Sequence, residues 1–308
     1  MIAAFQSLLP VLILIALGNV LRRIDFLTEE QWRGFEKVCY HVFFPAIVLH
    51  TILMIDVRDL PVFSLGVALF CSILAMGAVV TVLRPLLQKL LNVDGPAYTS
   101  VFQGAIRWNT FIGIALADQL LGADGVALIA IAILAFNPTV NLLCVSVLVR
   151  HASGRAITAK EFTKTLITNP FIWSTGLAVV LSLLAVPIPK PIAEALDVAG
   201  SGALVGGLIA VGAGLQLKRL FKPTMPALTA TTLRLLLMPC IAATFCVLFS
   251  VTGAALQIAI IATAIPAASG SYLLARQMGG DAELMAEILT LQTFAAIVTM
   301  PAAYALLT

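Results

Sequence analysis

The chain has 308 residues, of which 61% are hydrophobic and only 11% are charged, and its formal net charge is +3. A soluble domain is about 45–50% apolar and about 25% charged. The composition therefore excludes an ordinary soluble enzyme, a nucleic-acid-binding protein and a disordered chain, and it indicates a polytopic membrane protein whose surroundings are the lipid bilayer.

Ten membrane-spanning helices are predicted in chain order, because a bilayer core of about 30 Å needs about 20 apolar residues per helix. The predicted spans cover residues 4–21, 35–54, 61–83, 97–120, 125–149, 168–186, 194–216, 227–250, 254–276 and 285–307. The longest connection is basic and covers residues 151–167. It divides the chain into a first unit, residues 1–150, and a second unit, residues 168–308.

Positive charge is strongly one-sided in this arrangement, which sets the orientation. The connections after the odd-numbered spans, with their flanks, hold 14 of the 18 cations: Arg22, Arg23, Arg33, Lys37, Arg84, Lys89, Arg150, Arg155, Lys160, Lys164, Lys218, Arg219, Lys222 and Arg276. The other side holds Arg58 and Lys190, whereas Arg107 and Arg234 fall inside spans. We therefore expect residues 151–167 to be a cytoplasmic linker and both termini to lie outside.

The two units show signs of an internal repeat. Residues 116–122 and 274–280 both read L-A-x-Q-x-x-G at an offset of 158, and Pro10 and Pro170 are 160 residues apart. Five spans per unit is an odd number, so the two repeats must be inverted in the membrane. Inverted repeats are typical of secondary transporters, whose sites lie near the midplane where a helix in each half is broken.

Pro266 marks the first predicted break, within residues 264–271, because proline removes a helix hydrogen bond and Gly270 weakens the next turn. The repeat offset places the matching break at residues 107–113, where polar residues and Gly113 interrupt the apolar run. We expect the two breaks to face each other as a crossing.

Three segments at these positions give the chain a family resemblance. They read WNTFIGIALADQLLG in the fourth span, AIPAASGSYLLARQMGGD in the ninth and GLIAVGAGLQL in the seventh. With them the sequence resembles the auxin efflux carrier family, whose bacterial members include organic-acid permeases. One departure is Phe111, which stands where the family pattern has a glycine.

The resemblance implies an all-α membrane protein with a sodium/proton antiporter-like fold of ten helices in two inverted repeats. Spans 1, 2, 6 and 7 would form a scaffold, often a homodimer. Spans 3–5 and 8–10 would form a mobile transport unit. A bacterial member of the family would lie in the inner membrane.

Candidate substrate-binding residues are the polar and helix-breaking residues at or beside the two breaks: Asn109, Arg107, Pro266, Ser269, Gly270, Ser271, Asn137, Asn141, Gln103 and Gln292. The Asn109 amide can cap a half-helix and bind a carboxylate, and the Arg107 guanidinium can bind an anion through two parallel hydrogen bonds. The alternatives are a helix–helix hydrogen bond for each amide and an internal partner for Arg107. Asp118 is the candidate for coupling, with simple solvation as its alternative, and we expect Arg234 to extend toward the inner face.

The leading function is a secondary carrier for a small organic anion. A sodium-coupled symporter of the bile-acid type is the main alternative, with Thr110, Asn137, Ser269 and Ser271 as its oxygen ligands; a passive channel is another. An enzyme is not expected, because the spans carry no paired acids, no Ser/His dyad and no metal-binding motif. The five cysteines have no metal-site spacing, so neither a metal nor a cofactor is expected.

Overall fold

A computed structural model describes residues 2–54, 62–152, 158–168, 170–184, 186–215, 220–268 and 270–308. These residues form helices and connections, with no β-strand among them. The helices are α1 (Ile2–Arg23), α2 (Glu29–Val38), α3 (Phe44–Leu53), α4 (Val62–Leu91), α5 (Gly95–Ile106), α6 (Thr110–His151), α7 (Ala159–Ile167), α8 (Pro170–Leu183), α9 (Lys190–Gly214), α10 (Met225–Thr232), α11 (Met238–Leu248), α12 (Gly253–Ala264), α13 (Gly270–Met278) and α14 (Ala282–Leu307). Two π-helical turns, Cys39–Phe43 and Leu233–Leu237, join α2 to α3 and α10 to α11. The predicted all-helical class is confirmed.

Five stretches of the described helices are long and apolar enough to cross a membrane. They are Phe63–Leu91, Gly95–His151, Lys190–Gly214, Met225–Leu248 and Ala282–Leu307. The chain is therefore a multi-pass membrane protein. The count of ten spans and the inverted relation of the two repeats stay predictions.

Gly95–His151 cannot be a single crossing, because 57 helical residues would extend over about 85 Å. This stretch is interrupted twice. The first interruption lies between α5 and α6, and the second is at Gly122 inside α6, where φ is 60° and ψ is −144°. Only glycine adopts such angles without strain. Gly122 falls between the fourth and fifth predicted spans, so the boundary predicted there corresponds to a real change in the helix.

Helices α1, α2, α3, α8 and α9 pack mainly against one another, and we call them the first helix group. Within it the backbones of α1 and α9 touch. A Cβ atom on Gly18 would lie 2.0 Å from the Ile209 carbonyl oxygen, and one on Gly212 would lie 1.9 Å from that of Ile15. Asn19 adds a hydrogen bond of 3.2 Å from its amide nitrogen to the Gly212 carbonyl. This close approach explains why the seventh predicted span needs glycine.

Helices α4, α5, α6 and α10–α14 form a second helix group, which includes both broken helices, α5–α6 and α12–α13. The two groups meet chiefly along α6. There the Phe111 ring packs edge-on against Phe44, with the ring centroids 5.0 Å apart. The same ring fills the space over Gly207, where a Cβ atom would lie 2.6 Å from it. Phe111 thus packs the second helix group against the first.

Candidate substrate site at the helix crossing

Two helix interruptions meet in the second helix group, each inside the stretch that the sequence predicts. The first separates α5 from α6, and the second separates α12 from α13. They are in direct contact, because the Asn109 backbone N–H donates to the Pro266 carbonyl at 2.8 Å. A site at this contact belongs to both halves of the chain.

The two interruptions have different local causes. Pro266 has no N–H to donate and forces the preceding Ile265 into an extended conformation, with φ −82° and ψ 155°. The other interruption has no proline. Asn109 is extended there, and its side-chain oxygen accepts the Ile112 N–H at 3.2 Å, so it caps the start of α6.

Gln292 on α14 joins the two interruptions. Its amide nitrogen donates to the carbonyls of Gly104, at 2.9 Å, and Ala230, at 3.3 Å, and its oxygen accepts the Ala267 N–H at 2.9 Å. Both N–H donors are therefore in use. Gln292 holds the crossing together and would reach a substrate only by releasing one of these bonds.

Arg107 brings a positive charge to the crossing, with no negative partner among the described residues. Its guanidinium donates to the Asn141 side-chain oxygen at 2.6 Å and to the Gln103 side-chain oxygen at 3.4 Å. Both partners are neutral, and no ion pair between described residues includes Arg107. The side chain is only partly buried, so its charge remains available to an anion.

Trp108 is a site residue that the sequence reasoning missed. Its indole N–H donates to the Asn137 side-chain oxygen at 2.8 Å, and its ring packs edge-on against Phe136 with the centroids 5.1 Å apart. A tryptophan in the middle of a span, away from the membrane interface that usually holds this residue, was the available signal. Trp108 orients the Asn137 amide so that its nitrogen points away from the shared bond.

Four of the candidate residues at the crossing each have a buried polar atom with no hydrogen-bond partner in the described part of the chain. These atoms are Gln103 Nε2, Asn109 Nδ2, Asn137 Nδ2 and Ser271 Oγ. The oxygens of the three amides already accept bonds, so the amides still offer N–H donors, while the Ser271 hydroxyl can either donate or accept. A buried donor without a partner costs about 1–3 kcal/mol, which a ligand with several acceptor atoms would relieve.

The remaining candidates are placed as follows. Gly270 is the first residue of α13, and Pro266 supplies the carbonyl that joins the interruptions. Asp118 is exposed on α6, away from the buried donors. Ser269 lies outside the described residues. The acid proposed for coupling and the amides proposed for binding are therefore not brought into one buried cluster.

Arg234 is the largest fully buried side chain among the described residues, and it does not extend to the inner face as the sequence led us to expect. It lies in the π-helical turn Leu233–Leu237. Its guanidinium donates to the carbonyls of Ile265, at 2.9 Å, and Ala262, at 2.8 Å. Sequence alone could not show this, because both acceptors are backbone atoms about 30 residues away.

The chain is similar in sequence to known transport proteins. The family model described as "Membrane transport protein" matches residues 155–304. Over residues 155–304 the chain is therefore similar to that family. The match confirms the family resemblance that the sequence motifs indicate, and it contains the second of the two interruptions. An uncharacterized transporter of Methanothermobacter thermautotrophicus is 22% identical over 298 residues, with 96% of each chain covered.

Proposed function

We propose that the chain is a secondary transporter that moves a small organic anion, specifically a carboxylate, by elevator-type alternating access. One observation carries the proposal: three buried amide N–H donors and the Ser271 hydroxyl, all without a partner among the described residues, lie at the crossing with Arg107, which forms no ion pair with a described residue. A carboxylate has only acceptor atoms and one negative charge, so it matches both properties of the site.

The supply of oxygen atoms separates this function from its main alternative. A sodium-coupled symporter needs several free oxygens, since hard cations take oxygen ligands. The Asn137 side-chain oxygen accepts from Trp108 and the Pro266 carbonyl accepts from Asn109, so the Ser271 hydroxyl is the one unpartnered oxygen among the buried site atoms described above. These bonds favour an anion as the ligand over a cation.

The two helix groups suggest how the site would change sides. In the proposal the first group is a scaffold, through which two copies of the chain form a homodimer, and the second group carries the anion. Phe111 lies at their contact, so a movement of the second group must shift its ring over Gly207. Both termini would lie outside, as the distribution of cations predicts, and the membrane would be a bacterial inner membrane, as the family resemblance implies.

Counterflow in proteoliposomes tests the function directly. Vesicles loaded with one unlabelled mono- or dicarboxylate should accumulate the labelled acid when they contain the protein, and empty vesicles should not. Neutral analogues such as amides of the same acids should fail. If no carboxylate in the panel drives counterflow, the proposal of an organic-anion carrier is wrong.

A pair of arginine variants tests the site. Arg107→Gln removes the charge at the crossing and should raise the KM for the anion about tenfold or more, because charged hydrogen bonds contribute about 1.5–3 kcal/mol. Arg150→Gln is the matched control, since Arg150 is an exposed cation at the far end of α6. Equal KM values for the two variants would remove Arg107 from the site.

A further inference from the structure

The free carbonyl groups at the C-terminal end of α12 favour a positively charged group beside them. In a regular helix the Ala262 carbonyl would accept the N–H of residue 266, but that residue is Pro266 and has none. The Ile265 carbonyl also points out of the broken helix. The C-terminal end of a helix carries about half a negative charge, and unwound carbonyls of this kind coordinate cations in many transporters.

The Arg234 guanidinium supplies this positive charge from within the chain. It donates to both carbonyls, at 2.8 and 2.9 Å, and has no exposed surface. No ion pair between described residues includes it, so helix-end dipoles and not a carboxylate compensate its charge. Its third nitrogen, Nη1, is buried without a partner, which leaves one further donor at the crossing.

The other half-helix end at the crossing is treated differently. The Gly104 carbonyl near the end of α5 accepts from the neutral amide of Gln292, and the Arg107 backbone N–H donates to the Gln103 carbonyl. A fixed positive charge is therefore placed on the carbonyls of one helix end only. The π-helical turn that carries Arg234 is typical of sites with a function.

We propose that Arg234 is a covalently attached cation that takes the place of a coupled inorganic cation at the end of α12. The carbonyls that a sodium ion would use are occupied in every transport cycle, so the anion moves without sodium. Arg234 is in this sense a positioning residue: it holds α12 and α13 at the crossing and sets the ion requirement. The inference deepens the proposed function and rests on it for its transport part.

Replacement of the missing charge by an added ion is the decisive test. Uptake by the unaltered protein in proteoliposomes should be the same in sodium, potassium and choline media. Arg234→Gln should slow uptake about tenfold or more, because two buried carbonyls lose their donors. Millimolar sodium or guanidinium should restore part of that rate and raise the variant's thermal midpoint in detergent.

Two further variants separate the role of the charge from packing. Arg234→Lys keeps the charge, so its uptake should be slower than that of the unaltered protein but still independent of sodium. Arg84→Gln is the control for loss of an arginine elsewhere, since Arg84 lies over the Tyr98 ring and has no hydrogen bond to the carbonyls at the end of α12. It should show no response to either cation.

Three results would overturn the inference about Arg234. Sodium-dependent uptake by the unaltered protein or by Arg234→Lys would overturn the inference, and so would an Arg234→Gln protein whose uptake and midpoint respond to neither ion. If Arg234→Gln does not fold, Arg234→Lys decides. If no carboxylate drives counterflow, the proposed function fails, while the response of the Arg234→Gln thermal midpoint to sodium still decides the role of Arg234.

Discussion

The contact between Phe111 and Gly207 gives a prediction about how the two helix groups fit together. A methyl group at residue 207 would lie 2.6–2.7 Å from three ring atoms of Phe111, whereas ordinary contacts begin at about 3.4 Å. The ring has little room to retreat, because Phe44 packs edge-on against it. Gly207→Ala must therefore push α6 and α9 apart or force the ring into a poor rotamer.

The cost can be isolated with a second glycine variant. Overpacking a close contact costs about 1–3 kcal/mol, while alanine in place of a helical glycine gains up to about 1 kcal/mol by itself. Gly34→Ala measures that gain alone, since nothing lies within 4 Å of the added methyl group. The thermal midpoint of Gly207→Ala in detergent should lie about 2–6 °C below that of Gly34→Ala.

A double variant identifies the ring as the cause. With Phe111→Ala in the background, the space over Gly207 is empty, and Gly207→Ala should cost no more than Gly34→Ala. Counterflow rates measured on the same proteins show whether the contact also limits transport. Additive midpoint shifts for the two substitutions, or equal midpoints for Gly207→Ala and Gly34→Ala, would refute the reasoning.

Three other predictions concern the crossing and the polar connection between α1 and α2. Trp108→Phe removes the indole N–H and leaves the Asn137 oxygen without its donor, so it should lower the free energy of unfolding by about 1–3 kcal/mol and raise the KM for the anion. If neither value changes, Trp108 does not position the Asn137 amide. Asn109→Asp keeps the cap on α6 but adds a negative charge among the donors, so counterflow should be lost while the thermal midpoint is nearly kept. The hydrogen bond from Arg22 lowers the pKa of Glu29. The ionised Glu29 carboxylate therefore stabilises the protein above the ordinary carboxyl pKa, and this stabilisation is lost as the pH falls through the lowered pKa. The thermal midpoint of the unaltered protein, measured at low salt, should fall across this acid range, and that of Glu29→Gln should not show this fall. An equal fall in Glu29→Gln would assign the pH dependence to another group.

Local rules allowed the positions of both interruptions to be predicted from sequence. Pro266 acts on its own helix and on the residue before it, so its effect is visible in a few letters of sequence. Asn109 acts in the same way as a cap for α6. The repeat offset then connected the two positions, although they lie on different helices.

Partners distant in the chain could not be predicted in the same way. Gln292 was placed among the substrate ligands, but its amide donors bind backbone carbonyls, one of them 188 residues away. Arg234 was expected to reach the surface because a buried charge is costly, and nothing in the sequence shows that broken α12 supplies two acceptors. Every backbone carbonyl looks alike in a sequence, so hydrogen bonds to them emerge only from tertiary structure.

The backbone contact between α1 and α9 also bears on how the protein is made. The Asn19 amide has its acceptor at Gly212, 193 residues later in the chain. At a synthesis rate of about 5–20 residues per second, α1 waits about 10–40 s for that helix. During this interval the glycine face of α1 and a polar amide must be shielded by lipid headgroups, by the insertion machinery or by an earlier helix. The first helix group is thus completed only after the seventh predicted span is inserted, when most of the second group's first half is already in the membrane.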